Sequence, residues 1–384
     1  MRRLTTRACT GALILSLATT PALAERAPGA RPTPDSPEAG LWEVSDKAEA
    51  QARQSSEVVT DSNLNAYVRG AMCKVATEYC PELRLYILDR PYLNATMAPN
   101  GYVEVWTGLL LRAEDEAELA FVLGHETAHY AENHSLAAHE ALKTRANIGM
   151  ALAFAIGSLG YLASLSTMFG FDRAQEAQAD SLGFQRAVTA GYRPTGGADL
   201  WKTVMAETAA SDFDKVRKSD ARFNVFDTHP ATAERLAALQ TAAKGRPDGD
   251  AGADRLRAAI RPFLGSWLKT ELLRRDYGET LYLLDRLSRS EQDLGVINFY
   301  RGEVYRTRRA DGDLDRAMAA YALAATYPDA PVAAWRELGE ARNRAHDEAG
   351  AKDAFQAYLS KAPSAEDAWM VQDAMQSLAK KDGP

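Results

Sequence analysis

The sequence predicts an α+β fold in two parts: a mainly helical domain with a small β-sheet, then an all-α array of tetratricopeptide-like repeats. Three observations predict it. Short period-2 stretches stand beside longer helical ones in the first two thirds of the chain. One spacing of glycine, small and aromatic residues recurs in the last third. Two Pro/Gly-rich breaks, at 27–40 and 244–253, divide the chain.

A length of 384 residues suits two domains, and 46% hydrophobic with 25% charged residues supports a large core. The net charge is −7 and no long basic tract occurs, so no nucleic-acid partner is expected.

In chain order, residues 1–24 read as a secretory signal. Arg2, Arg3 and Arg7 form a positive start, Gly11 to Ala18 an apolar run, and Ala22-Leu23-Ala24 a small-residue cleavage site, so the mature chain starts at Glu25. The apolar run is too short to span a bilayer. Residues 25–41, with "APGARPTPDSPEAG", read as a disordered linker. A first domain follows at 42–243. It opens with a helical stretch from Trp42 to Ala76 that carries Cys73; Cys80 follows just beyond. Two cysteines in an exported chain suggest a disulfide between them, with two reduced thiols as the alternative.

"ELRLYILD", 82–89, alternates and reads as a strand. "NATMAPNGYVEVWTGLL", 94–110, reads as a hairpin turning at Pro99-Asn100-Gly101. Its second arm puts Tyr102, Glu104 and Trp106 on one face and Val103 and Val105 on the other. Glu114-Asp115-Glu116 places acids at a helix start, where they suit the dipole.

That helix carries "GHETAH", in which His125, Glu126 and His129 spell H-E-x-x-H. Residues i and i+4 share a face, so both imidazoles reach one ion. Glu126 stands about 100° round the helix, where it meets a water at the metal without being a ligand. A plain helix with two histidines on one face is the bland alternative. Leu119, Phe121, Val122 and Leu123 make the helix a buried one, where purposeless histidines are costly. The pattern with Gly at 132 and His at 135 fails, because Glu132 and Ser135 stand there. His134 and His139 fall off the ligand face and read as solvent-exposed or as outer partners. Glu176 and Asp180, spaced i, i+4 on a second helix at 171–192, offer a carboxylate ligand and a carboxylate to orient a ligating histidine. Two acidic surface positions on an amphipathic helix are the other reading.

After the linker 244–253, residues 254–384 read as helical repeats. Trp335, Leu338, Gly339, Ala351, Phe355 and Pro363 follow the tetratricopeptide spacing. Gly302, Ala317, Tyr321 and Pro328 mark an earlier copy, a weaker one lies at 256–290, and 365–380 would cap the array. Such arrays present a concave face to protein partners.

The ordered set "HETAH", "QEAQAD" and "THPATAERL" (228–236), together with the hairpin before it, resembles the HtpX-like family of zinc metallopeptidases, which includes the CAAX-prenyl proteases. The resemblance covers roughly 60–240. It implies a gluzincin-type zincin domain with one Zn²⁺ per chain, held by His125, His129 and Glu176. It implies Glu126 as general base, Asp180 as the orienter of a histidine, and His229 as an outer group that stabilises the intermediate or holds the enzyme latent. It aligns Arg235 with an arginine near the substrate. It also makes the strand Tyr102–Trp106, with Val103, Glu104 and Val105, the edge on which an extended substrate adds. Family members often carry two glycines at the hairpin turn. Here the first is Asn100, a residue that tolerates a left-handed backbone.

Exported family members with such repeats imply a periplasmic endopeptidase that degrades unfolded or misassembled envelope and outer-membrane proteins, with the repeats meeting the outer-membrane assembly machinery. The rival reading is a latent or inactive protease acting as a chaperone or adaptor.

Residues 146–171 hold 26 positions without a charge. A single span would part His129 from Glu176 by roughly 30 Å, yet both must reach one ion. The run therefore reads as a hairpin or lid turning at Gly157-Ser158-Leu159-Gly160, packed on the protein or dipping into a membrane face as a peripheral contact.

Overall fold

The computed structural model describes residues 24–145, 171–218 and 232–381. All of the predicted signal segment 1–24 but Ala24, all of the uncharged run 146–171 but Phe171, and His229 lie outside the described residues. The rest is mostly helical around one three-stranded sheet.

The first element is not where the linker reading put it. Helix α1 spans Pro37–Gln54, with Ser36 as N-cap, its hydroxyl accepting from Ala39 N at 3.1 Å, and Pro37 at the first helical position. That Ser-Pro pair is a helix start inside a stretch whose composition suggests a coil. Ahead of it, Arg26 is buried: its N–H donates to Ala131 O at 2.7 Å and its guanidinium pairs with Glu38 at 2.7 Å. Residues 25–41 are thus not a disordered linker. The helical stretch 42–76 is likewise two helices, because Asp61 caps a new one. Helix α2 spans Ser62–Ala76, and the intervening Val58 bridges to the sheet at Leu88. A disulfide joins Cys73 in α2 to Cys80 in the following 3-10 turn, Thr77–Glu82, with 5.0 Å between Cα atoms.

The sheet comprises β1 (Arg84–Leu88), β2 (Ala95–Met97) and β3 (Tyr102–Trp106) in the order β1-β3-β2. β2 and β3 form the expected hairpin, in register Thr96↔Glu104. The positive φ of 82° falls on Gly101, where a side chain would meet Glu82 O at 2.8 Å. Asn100 serves through its side chain instead, accepting from Tyr102 N at 3.0 Å. β1 then pairs parallel to the far side of β3, Tyr86↔Glu104. β3 is therefore the central strand and not a substrate edge. Val103 and Val105 face the main core, while Tyr102 and Tyr86 pack on Ala48 and Ala52 of α1. Glu104 is buried and accepts from Tyr102 Oη and from Trp106 Nε1 at 2.9 Å.

Helices α3 (Thr107–Arg112), α4 (Glu116–Ala131) and α5 (His134–Arg145) follow, then α6 (Arg173–Thr189), α7 (Gly196–Ala210), α8 (Asp214–Lys218) and α9 (Ala233–Ala243). The C-terminal part holds α10 (Ala253–Ile260), α11 (Leu264–Leu273), α12 (Tyr277–Ser288), α13 (Leu294–Arg308), α14 (Asp313–Ala324), α15 (Ala333–Arg344), α16 (Glu348–Lys361) and α17 (Ala368–Lys381). None of the described helices is long and apolar enough to cross a membrane.

The break at 244–253 is pinned rather than loose. Asp250 bridges Tyr192, and Ala117 N donates to Ala251 O at 3.0 Å. The core also runs through it: Leu256, Trp267, Leu284 and Ile297 share one apolar cluster with Leu119 and Phe121 of α4. Arg112 is buried between Glu207 and Glu271, at 2.7 and 3.0 Å, and so ties α3 to α7 and α11. Further on, helices pack in consecutive pairs. A Cβ on Gly302 would stand 2.3 Å from the Tyr321 ring, and one on Gly339 2.5 Å from Phe355, so in each pair a glycine seats an aromatic ring.

Candidate metal centre

Helix α4 starts cleanly because Asp115 accepts from Glu118 N at 2.9 Å, and every residue in it is buried. Helix α6 starts with a capping box: Asp172 accepts from Gln175 N at 2.9 Å, and the Gln175 side chain accepts from Asp172 N at 3.0 Å. The two helices cross at Gly124 and Gly183. A Cβ on Gly183 would lie 2.7 Å from His125 N, so only glycine permits this approach. Neither glycine belongs to a motif that the sequence marks as chemical. Each stands close to a residue of the centre, Gly124 beside His125 and Gly183 three residues past Asp180, and that adjacency was the available signal.

The crossing brings three donor atoms together. His125 Nε2 and His129 Nε2 are 3.0 Å apart, and Glu176 lies 3.7 Å from the first and 3.6 Å from the second. His125, His129 and Glu176 each offer one ligand atom, all within 4.8 Å of one another, and all three are buried. The outward nitrogens have partners too. His125 Nδ1 is 3.1 Å from Asp180 Oδ1, and His129 Nδ1 is 2.9 Å from His134 Nδ1. With the Nδ1 protons directed outward, the Nε2 lone pairs face each other and a carboxylate oxygen. Lone pairs so arranged repel unless a cation sits among them. Two imidazoles and one carboxylate suit zinc, leaving a fourth position for water or substrate.

Arg235 binds this cluster from behind. Its Nε and Nη2 donate to Asp180 at 2.6 Å each, its Nη1 lies 2.8 Å from Glu176, and its guanidinium stacks 4.7 Å over Trp201. Burial would raise the Asp180 carboxyl, but the Arg235 and His125 bonds outweigh it and hold it at about 2. Arg235 is committed to positioning the carboxylates, which replaces its reading as a substrate contact. Glu126 is buried next to His125 on α4. His134, read as solvent-exposed or as an outer partner, is buried, and burial pushes its imidazole pKa down. Phe171 stacks on His129 at 3.8 Å.

Tyr102, Val103, Glu104 and Val105 do not join the centre. They lie in the central strand and are buried. The strand at the sheet's edge on the α4 side is β2, Ala95–Met97, which packs against α4 and pairs only with β3 among the described strands.

Residues 60–243 match the family model described as Peptidase family M48. Similar proteins include the mitochondrial metalloendopeptidase OMA1 of Schizosaccharomyces pombe, 30% identical over 41% of this chain and 45% of the relative. A putative beta-barrel assembly-enhancing protease of Vibrio cholerae is 28% identical over 36% of this chain and 32% of the relative. The beta-barrel assembly-enhancing protease of Escherichia coli is 23% identical over 49% and 40%. The matched part thus spans less than half the length of these relatives.

Proposed function

We propose that this chain is a zinc-dependent endopeptidase acting on unfolded or misassembled proteins of the cell envelope, because residues 60–243 match the model of peptidase family M48, a family of zinc metallopeptidases. One observation carries the reading: His125, His129 and Glu176 converge on one point beside Glu126, with Asp180 and Arg235 holding them from behind. When bound, zinc supplies a Lewis acid and a water acidified toward neutral pH. Glu126 takes the proton of the attacking water and returns it to the leaving amine. Asp180 keeps the His125 proton on Nδ1, and Arg235 keeps Asp180 ionised and in place. His229, from the T-H-P match, would donate to the oxyanion or hold the site latent. An extended segment would add to β2, the edge beside α4, which favours chains able to unfold.

The periplasm is the proposed location. It rests on the signal-like start, with cleavage after Ala24, and on the likeness to beta-barrel assembly-enhancing proteases. The glycine–aromatic seats at Gly302–Tyr321 and Gly339–Phe355 support the tetratricopeptide-like reading, with that array recruiting protein partners of outer-membrane assembly.

The test is digestion of casein by the purified chain beside Glu126→Gln, with and without a zinc chelator. The expected result is cleavage by the wild type alone, lost on chelation. Absence of cleavage by the wild type and by His229→Ala alike would overturn the enzyme reading in favour of an adaptor.

A further inference from the structure

Each histidine of the centre has a partner on its outward nitrogen, and the two partners differ. His125 meets a carboxylate, Asp180; His129 meets another imidazole, His134, at 2.9 Å between Nδ1 atoms. We propose that His134 is the positioning residue of His129, accepting its Nδ1 proton and so aiming the Nε2 lone pair at the metal. The inference rests on the zinc reading above.

The surrounding bonds impose one direction. If His129 Nε2 is turned to the ion, its proton is on Nδ1 and points at His134 Nδ1. His134 must then accept at Nδ1 and carry its own proton on Nε2. That nitrogen lies 3.3 Å from Gln178 Oε1, an acceptor. The Gln178 amide end in turn donates to Glu132 Oε2 at 2.8 Å. Every donor in the chain His129–His134–Gln178–Glu132 therefore meets an acceptor, and the series ends on a carboxylate. With a neutral His134, reversing the His129 tautomer would set two N–H groups or two lone pairs against each other somewhere along it. His134 is 4% exposed and sits where α5 starts, so water does not compete for its nitrogen. Partners of this kind fix the ring and raise its basicity, and losing one costs about 10–100-fold in metal affinity.

The test is the zinc dissociation constant, by competition with a chelating dye, for wild type, His134→Leu and His134→Asn. Asn places an acceptor oxygen the same two bonds from Cβ as the histidine Nδ1, whereas Leu fills the space without one. We expect Leu to weaken binding about 10–100-fold and Asn to stay within roughly threefold of wild type, the pattern a hydrogen-bond role requires. Equal affinities for wild type and Leu, or equal losses for Leu and Asn, would overturn the assignment. If Leu does not fold, ¹⁵N histidine spectra of zinc-loaded wild type decide. A proton on His134 Nε2 and none on its Nδ1 supports the proposal, and the reverse sinks it. A wild type that binds no zinc would instead remove the reading on which it stands.

Discussion

The two ends of α4 are both rich in buried acids, and they handle them in opposite ways. At the N-terminal end, donors from elsewhere in the chain surround Glu116. Glu116 accepts from Lys74 Nζ at 2.8 Å, Tyr192 Oη at 2.5 Å, Tyr67 Oη at 3.1 Å and Arg255 Nε at 2.8 Å. Burial would raise its pKa, but these donors hold it at about 2. Nearby, Arg193 pairs with Asp115 at 2.5 Å and Glu118 at 3.2 Å. At the C-terminal end the acceptors face one another across 3.0 to 3.7 Å, with their donors placed behind them. A buried acid answered by several donors closes a structure; acceptors converging on one point leave a place for a cation. The difference separates scaffold from site better than burial or charge alone.

That contrast can be broken first at the metal end. Glu126→Gln should lower casein cleavage by about 10²–10⁴-fold while leaving the unfolding midpoint unchanged or raised, since it removes a charge from a crowded acidic site. A large fall in stability would make Glu126 a structural residue. The buried ion cluster that ties α3 to α7 and α11 should behave in reverse. Arg112→Met leaves Glu207 and Glu271 buried without their shared cation, which should cost about 3–5 kcal/mol in urea unfolding, with the zinc affinity of the folded fraction unchanged. Less than about 1 kcal/mol would mean the seam contributes little.

Away from both ends, Cys80→Ser opens the short loop to Cys73, of sequence separation 7. It should cost about 2–3 kcal/mol without altering zinc binding, and a loss of zinc would tie that loop to the site. A pH dependence belongs to the N-terminal turn of α4. Burial lifts Glu118 from its ordinary 4.5 to about 8, against its backbone bond from Glu114. A raised carboxyl favours the folded state below pH 4.5, and that contribution is lost as pH rises toward 8. Glu118→Gln should therefore gain stability over wild type at pH 8 and not at pH 4. Glu116 has the opposite sign: its contribution is present above 4.5 and is lost as pH falls toward 2, so Glu116→Gln should flatten the acid limb. Parallel urea midpoints across pH for wild type and both variants would refute both assignments.

Much of the centre was legible in the chain because its geometry is local. The i, i+4 spacing of His125 and His129, and of Glu176 and Asp180, sets which side chains share a helix face wherever that helix goes. The β2–β3 hairpin was legible for the same reason, since Gly101 alone permits its turn. Arg26 and the Ser36-Pro37 start were missed because composition describes an average, while one cap and one buried guanidinium decide order. The substrate edge was misplaced because β1 approaches β3 from the far side, and nothing within 102–106 encodes that parallel pairing.

What the sequence by itself determined is the content of each helix and hairpin: the ligand pair, the base beside it, and the repeating glycine and aromatic positions. Only the tertiary structure decided which elements meet. It set the crossing at Gly124 and Gly183, the turn of His134 onto His129, and the continuation of the core through 244–253. The physical reason is range. Helical and strand periods follow from backbone geometry over a few residues, whereas a close crossing or a strand partner depends on apolar surface and hydrogen-bond donors far along the chain.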